Sequence, residues 1–156
     1  MRSLETLSTA EALHPWLRLT TSLTQKLQHS FATKPGLSLL GEGLEQGNAW
    51  ERELLSAQQN VYARHIALTI EGTPIVLARS VTTQGSGMDA LTRLKTRPLA
   101  ELLFEDSQWE RNADIQYLAL DGGVPGRGCL WHNRVLGAGL IVQEFFLHAL
   151  LAKAGP

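Results

Sequence analysis

Val61-Tyr62-Ala63-Arg64-His65-Ile66-Ala67-Leu68-Thr69-Ile70, followed by Glu71-Gly72-Thr73-Pro74 and then Ile75-Val76-Leu77-Ala78-Arg79-Ser80-Val81, is the stretch on which the fold turns. Tyr62, Arg64, Ile66, Leu68 and Ile70 share one parity, while Ala63, His65, Ala67 and Thr69 take the other. Successive side chains of a strand point to opposite faces, so this alternation marks a half-buried strand. Glu71 to Pro74 supply turn residues, and Ile75, Leu77, Arg79 and Val81 repeat the alternation on the way back. The stretch predicts a β-hairpin.

Upstream, Leu23, Leu27 and Phe31 recur every four residues, with Ser22 and Gln25 placed as a capping box, which predicts a first helix over Thr21–Phe31. Lys34-Pro35-Gly36 ends it, Leu37–Leu44 reads as a strand, and a loop carrying Asn48 follows. Downstream, Met88–Lys95 reads as a short helix. A second helix starts near Pro98, with Thr96 as its cap and Leu99, Leu102 and Leu103 as its apolar face. Ile115–Leu120, Cys129–Leu136 and Leu140–Leu147 read as strands, joined by Asp121-Gly122-Gly123 and Gly137-Ala138-Gly139. The sum is an α+β fold, a single antiparallel sheet of about six strands with helices packed against it, and not an alternating β-α array. The expected organisation is one domain over 1–156, with 1–12 a flexible N-terminal segment.

Apolar residues make up 44% and charged residues 19% of the 156, enough apolar surface for a packed core and too much for a disordered chain. Fourteen Lys and Arg against fifteen Asp and Glu leave a net charge of -1, so no basic field draws nucleic acid or an acidic membrane. The single cysteine, Cys129, has no partner for an internal disulfide or a metal-ligand pair, and the five histidines have no zinc-helix spacing. No apolar run approaches the roughly 20 residues of a membrane span, and Met1–Ala10 has no signal-peptide pattern. A soluble, cytoplasmic protein with no metal and no membrane insertion is expected.

Three patterns carry no chemistry. Gly85-Ser86-Gly87 has neither the spacing nor the strand-to-helix setting of a nucleophile elbow and reads as a loop. Gly122 to Gly128 is glycine-rich but has no GxGxxG order and contains Pro125, so it reads as a hairpin loop. Glu101, Glu105, Asp106 and Glu110 read as a solvated acidic surface.

Charges on apolar strands are costlier. A two- or four-residue turn at Gly72 is read as setting Arg79 across from Ile66, with Arg64 diagonally beside it on the same apolar face; a three-residue loop would separate them. Two neighbouring buried guanidinium groups cost several kcal/mol unless anions compensate. They are either edge residues and structural bridges or an anion site. Glu144 has apolar neighbours on both faces of its strand, Leu140, Val142 and Phe146 on one and Ile141, Phe145 and Leu147 on the other. Its carboxylate either bridges to Arg64 or Arg79 or is kept for chemistry. Leu23 and Leu99 each fall in a first helical turn. Their side chains read as core, but the backbone amides there have no intrahelical partner and favour an anion.

Arg64 in Tyr62-Ala63-Arg64, Arg79 in Leu77-Ala78-Arg79-Ser80-Val81, the segment Arg97-Pro98-Leu99-Ala100-Glu101-Leu102-Leu103-Phe104, and Glu144 in Gln143-Glu144-Phe145-Phe146-Leu147 together resemble the chorismate pyruvate-lyase family. The likeness runs from the first helix to Leu147. Two departures stand out: Arg79-Ser80-Val81-Thr82-Thr83 where many relatives read Arg-Thr-Val-x-Pro, and a slightly longer Gly126–Glu144 stretch. The resemblance implies a closed ligand pocket on an antiparallel sheet, no metal or organic cofactor, and conversion of chorismate to 4-hydroxybenzoate and pyruvate, feeding ubiquinone synthesis. It further implies that Arg64 and the backbone at Leu23 and Leu99 hold the ring carboxylate. Glu144 would meet the ring hydroxyl, as general base or as orienting group, and Arg79 the enolpyruvyl carboxylate. The expected partners are that substrate and product, with no nucleic acid and a monomeric state. The competing reading is a non-catalytic sensor of aromatic carboxylates, like the effector-binding domains of GntR-type regulators; about 20 residues before the first helix are too few for their DNA-binding motif. A degenerate structural member is the third.

Overall fold

A computed structural model describes residues 12–57, 60–99, 102–103, 108–112, 114–120 and 123–154. Within it the hairpin lies inside a seven-stranded antiparallel sheet. Its strands are β1 (Gly36–Gln46), β2 (Asn60–Ile70), β3 (Thr73–Thr82), β4 (Trp109–Arg111), β5 (Gln116–Ala119), β6 (Pro125–Asn133) and β7 (Ala138–Phe146). They run in the order β1-β2-β3-β7-β6-β4, with β5 also paired to β6. The strand at Trp109–Arg111 is one more than the sequence predicts, because three residues are too few to show alternation.

Four bounded helices accompany the sheet: α1 (Leu23–Phe31), α2 (Ala49–Leu55), α3 (Ser86–Leu94) and α4 (His148–Ala154). Ser22 caps α1 by accepting the amide of Gln25. Residues 12–17 are helical ahead of it, and Leu13 and Trp16 are buried there; of the segment 1–12 expected to be flexible, 1–11 lie outside the described residues. Leu99, Leu102 and Leu103 are helical, as expected after Pro98.

Several loops of the sequence reading are regular structure. The loop after Asn48 is α2: Asn48 accepts the Glu51 amide at 2.8 Å, and Glu51 Oε1 accepts the Asn48 amide at 3.0 Å. Seven residues span too few turns for apolar periodicity to reveal a helix. Gly85-Ser86-Gly87 opens α3, and Gly87 lets that helix approach Thr82 so closely that a Cβ there would lie 2.2 Å from Thr82 Oγ1. Pro125 to Gly128 belong to β6, where a Cβ on Gly126 would meet the Glu144 carbonyl at 2.5 Å. Glycine permits a tight strand pairing at that point instead of marking a loop.

The hairpin corrects one further expectation. Its turn is the two residues Glu71 and Gly72, both at positive φ, but a bulge between Leu68 and Thr69 shifts the pairing by one residue. Arg64 then stands opposite Ser80, and Arg79 opposite His65. A one-residue shift exchanges the faces of a strand, so Arg64 and Arg79 point to opposite sides of the sheet.

One face buries two apolar clusters. The first joins Leu23 and Leu27 of α1 to Ile66, Leu68, Val76, Phe146 and Leu150. The second joins Leu91, Leu94 and Leu103 to Trp109, Trp131, Leu140 and Val142. On the other face Trp50, Leu54 and Leu55 cover Val61, Ala63, Val81 and Ile141.

Candidate active site

Residues opposite one another on paired antiparallel strands share a face. The register therefore builds two rows across β2, β3, β7 and β6: Arg64, Ser80, Val142 and Cys129 in one, Ile66, Ala78, Glu144 and Arg127 in the next. Above these rows, at the seam of the two apolar clusters, lies a cavity, part of it open to solvent. Its walls are apolar at Leu23, Ile66, Leu68, Ala78, Leu99, Leu103 and Val142, and its charged lining residues are Arg111, Arg127 and Glu144.

The partner of Glu144 is neither Arg64 nor Arg79. Arg127 Nε donates to Glu144 Oε1 at 3.0 Å, and Arg127 Nη1 donates to the Leu19 carbonyl. Arg127 is 7% exposed. Reading Pro125 to Gly128 as a loop hid this residue; extending the parity of Trp131 and Cys129 back two more residues would have found it. Arg111 was missed for the same reason as its short strand. It donates to the Thr20 carbonyl at 3.4 Å, and its guanidinium carbon lies 5.1 Å from the Trp131 ring centroid.

Leu23 and Leu99 both line the cavity, each at the start of a helical segment. Arg64 shares the face but lies beside the cavity lining, 1% exposed. Its Nη2 donates to the carbonyls of Lys95 at 3.1 Å and Arg97 at 2.7 Å, which fixes the turn that presents Pro98 and Leu99. Arg64 Nε and Nη1 are buried and have no hydrogen-bond partner among the described residues, and Nε forms a long ion pair with Glu42 Oε1 at 3.9 Å. Burial pushes the Arg64 guanidinium below its ordinary range, opposed by the charge of Glu42. Buried donors without acceptors are rare and costly, and an incoming carboxylate would satisfy these two.

Arg79 is outside this constellation. On the far face its Nε and Nη2 hold Glu51 at 2.7 and 2.9 Å, and its Nη1 meets Glu45. Glu51 is fully buried and also accepts from Gln143 Nε2 at 2.6 Å. Burial alone would push the Glu51 carboxyl up; hydrogen bonds from Arg79, the Asn48 amide and Gln143, with the Arg79 charge, hold it below the usual carboxylate range. The expected enolpyruvyl contact at Arg79 is thus replaced by a bidentate bridge, because the bulge turns this side chain away from the cavity.

Among the described residues no cluster of three or more His, Cys, Asp or Glu could hold a metal ion, and no helix is long and apolar enough to cross a membrane.

The family model for chorismate lyase matches residues 2–155. A probable chorismate pyruvate-lyase of Azoarcus sp. (strain BH72) is 32% identical, covering 89% of this chain and 85% of its own. One of Shewanella frigidimarina (strain NCIMB 400) is 34% identical, covering 88% and 81%. Among solved structures, PhnF from Mycobacterium smegmatis superposes with a TM-score of 0.57 at 10% identity, over 86% of this chain and 67% of that one. At that identity the likeness concerns the fold alone.

Proposed function

The chain belongs to the chorismate lyase family, and on that premise we propose that it converts chorismate to 4-hydroxybenzoate and pyruvate in the cavity between α1 and the sheet. The observation that carries the reading is Glu144: a carboxylate in a largely apolar cavity, with Oε1 held by Arg127. Among the described residues no hydrogen bond to Oε2 is found, so that oxygen is the one to meet a substrate hydroxyl or proton.

Chorismate carries one carboxylate on its ring and one on the enolpyruvyl ether. The ring carboxylate takes Nε and Nη1 of Arg64, which have no hydrogen-bond partner among the described residues, and the first-turn backbone amides at Leu23 and Leu99. Arg64 thereby acts twice, as anchor and as the support that fixes the Leu99 turn. Glu144 sits by the 4-hydroxyl. Loss of the C4 hydrogen as a proton and of the C3–O electron pair to the departing enolpyruvate makes the ring aromatic, and the enolpyruvate then ketonises to pyruvate. Aromatisation supplies the driving force, so the protein chiefly orients the substrate and stabilises shifting charge. In this reading Glu144 takes the proton, supported by its carboxylate in a largely apolar cavity.

Incubating the purified protein with chorismate and following both products tests the reading. Stoichiometric 4-hydroxybenzoate and pyruvate are expected; tight binding without turnover would instead mark a sensor.

A further inference from the structure

Two arginines line the cavity on the side away from Arg64, and the roles drawn so far use neither for binding. They do not point there independently: Arg127 donates to the carbonyl of Leu19 and Arg111 to that of Thr20. The two guanidinium groups are thus tied to consecutive carbonyls of one segment. The segment continues into Thr21, Leu23 and Thr24, which also line the cavity. Arg111 Nε is buried and has no hydrogen-bond partner among the described residues, and its guanidinium lies over the Trp131 ring.

The charge does not balance. Two cations face one carboxylate, Glu144, among the described lining residues. Two like charges lining one largely apolar cavity repel each other unless an anion joins them. Arg64 and Arg127 are on β2 and β6, three strand spacings apart. At about 4.8 Å per spacing their backbones stand on the order of 14 Å from one another. An anion at one end leaves room for a second at the other.

We propose that Arg111 and Arg127 form a second carboxylate subsite, distinct from the Arg64 end, which holds the enolpyruvyl carboxylate. It rests on the chorismate reading for the identity of the occupant. The chemistry of the substrate selects this end: the enolpyruvyl ether is on C3, next to the hydroxyl-bearing C4. With Glu144 at the C4 hydroxyl, the C3 substituent extends from the neighbouring carbon toward the arginine that is hydrogen-bonded to Glu144. Arg127 links the two positions, and Arg111 Nε supplies the unmet donor. The subsite is used by the dicarboxylate substrate and left by the monocarboxylate product, so it favours substrate entry without tightening the hold on 4-hydroxybenzoate.

The test compares chorismate and 4-hydroxybenzoate on the full chain, by calorimetry and by turnover, in the parent and in Arg111→Gln. Loss of a hydrogen bond to a charged group predicts weakening of chorismate by on the order of tenfold or more, with 4-hydroxybenzoate affinity kept within about twofold. Retained product affinity also reports an intact cavity. Equal weakening of both ligands in a variant that melts like the parent, or weakening of neither, overturns the subsite. If Arg111→Gln does not fold, Arg111→Lys decides by the same ratio: a selective loss of roughly threefold or more for chorismate supports the subsite, and an unchanged ratio overturns it. A parent that binds chorismate more tightly than 4-hydroxybenzoate without turning it over would sink the activity and leave the subsite standing. A parent with no preference for the dicarboxylate would sink the subsite alone.

Discussion

Arg127 Nε lies 3.0 Å from Glu144 Oε1, and the two residues face each other across β6 and β7. The pair fixes the orientation of Glu144 in the cavity through a strand neighbour, and neither arginine of the hairpin meets that carboxylate: Arg64 supports the Leu99 turn, and Arg79 holds α2 to the opposite face.

Glu144→Gln keeps the size and hydrogen bonding of the side chain and removes its basicity. Turnover of chorismate is expected to fall about 100-fold or more, with 4-hydroxybenzoate still bound. Activity within about tenfold of the parent would remove the base role and leave Glu144 as an orienting group.

Arg64→Ala removes the proposed ring-carboxylate anchor together with the donor to the Lys95 and Arg97 carbonyls. The dissociation constant of 4-hydroxybenzoate is expected to rise by on the order of tenfold or more, the value of a charged hydrogen bond. A thermal melt run alongside separates weakened binding from unfolding, and an unchanged dissociation constant sinks the anchor.

Arg79→Ala leaves Glu51 buried without its cation. Breaking a buried pair from one side costs roughly 3–5 kcal/mol, so the urea midpoint should drop sharply. In the fraction that remains folded, chorismate and 4-hydroxybenzoate should bind within about twofold of the parent. Weak substrate binding with normal stability would contradict the placement of Arg79 on the far face.

Glu51 also makes stability depend on pH. Its folded carboxyl lies below its unfolded value, so between the two the unfolded chain binds more protons and stability rises with pH. The contribution is present in full above the unfolded value and is lost as pH falls through the folded one. Glu51→Gln is expected to be less stable at neutral pH and to show a shallower loss of stability on acidification, measured by urea melts at a series of acid pH values.

Alternation along 61–81 made the hairpin legible, and the four-residue recurrence with Ser22 made α1 legible, because strand and helix periods are local properties of the chain. The apolar neighbours of Glu144 likewise marked it as a charge needing a reason. Arg127 was hidden because glycines on both sides of it mimic a loop; in the folded sheet Gly126 makes room for the backbone of Glu144, a demand set by a strand distant in sequence.

What the sequence by itself determined was the antiparallel α+β architecture, two helices with Leu23 and Leu99 in their first turns, and a carboxylate on an apolar last strand. Those follow from local periodicity and from the cost of burying charge. Which arginine meets which carboxylate was decided only by tertiary structure. One bulged residue after Leu68 sends Arg79 to Glu51 and keeps Arg64 on the cavity face, and the pairing of β6 with β7 sets Arg127 beside Glu144. Strand parity has a period of two, so a single-residue shift in register exchanges faces, and that shift depends on strand pairing that no local pattern records.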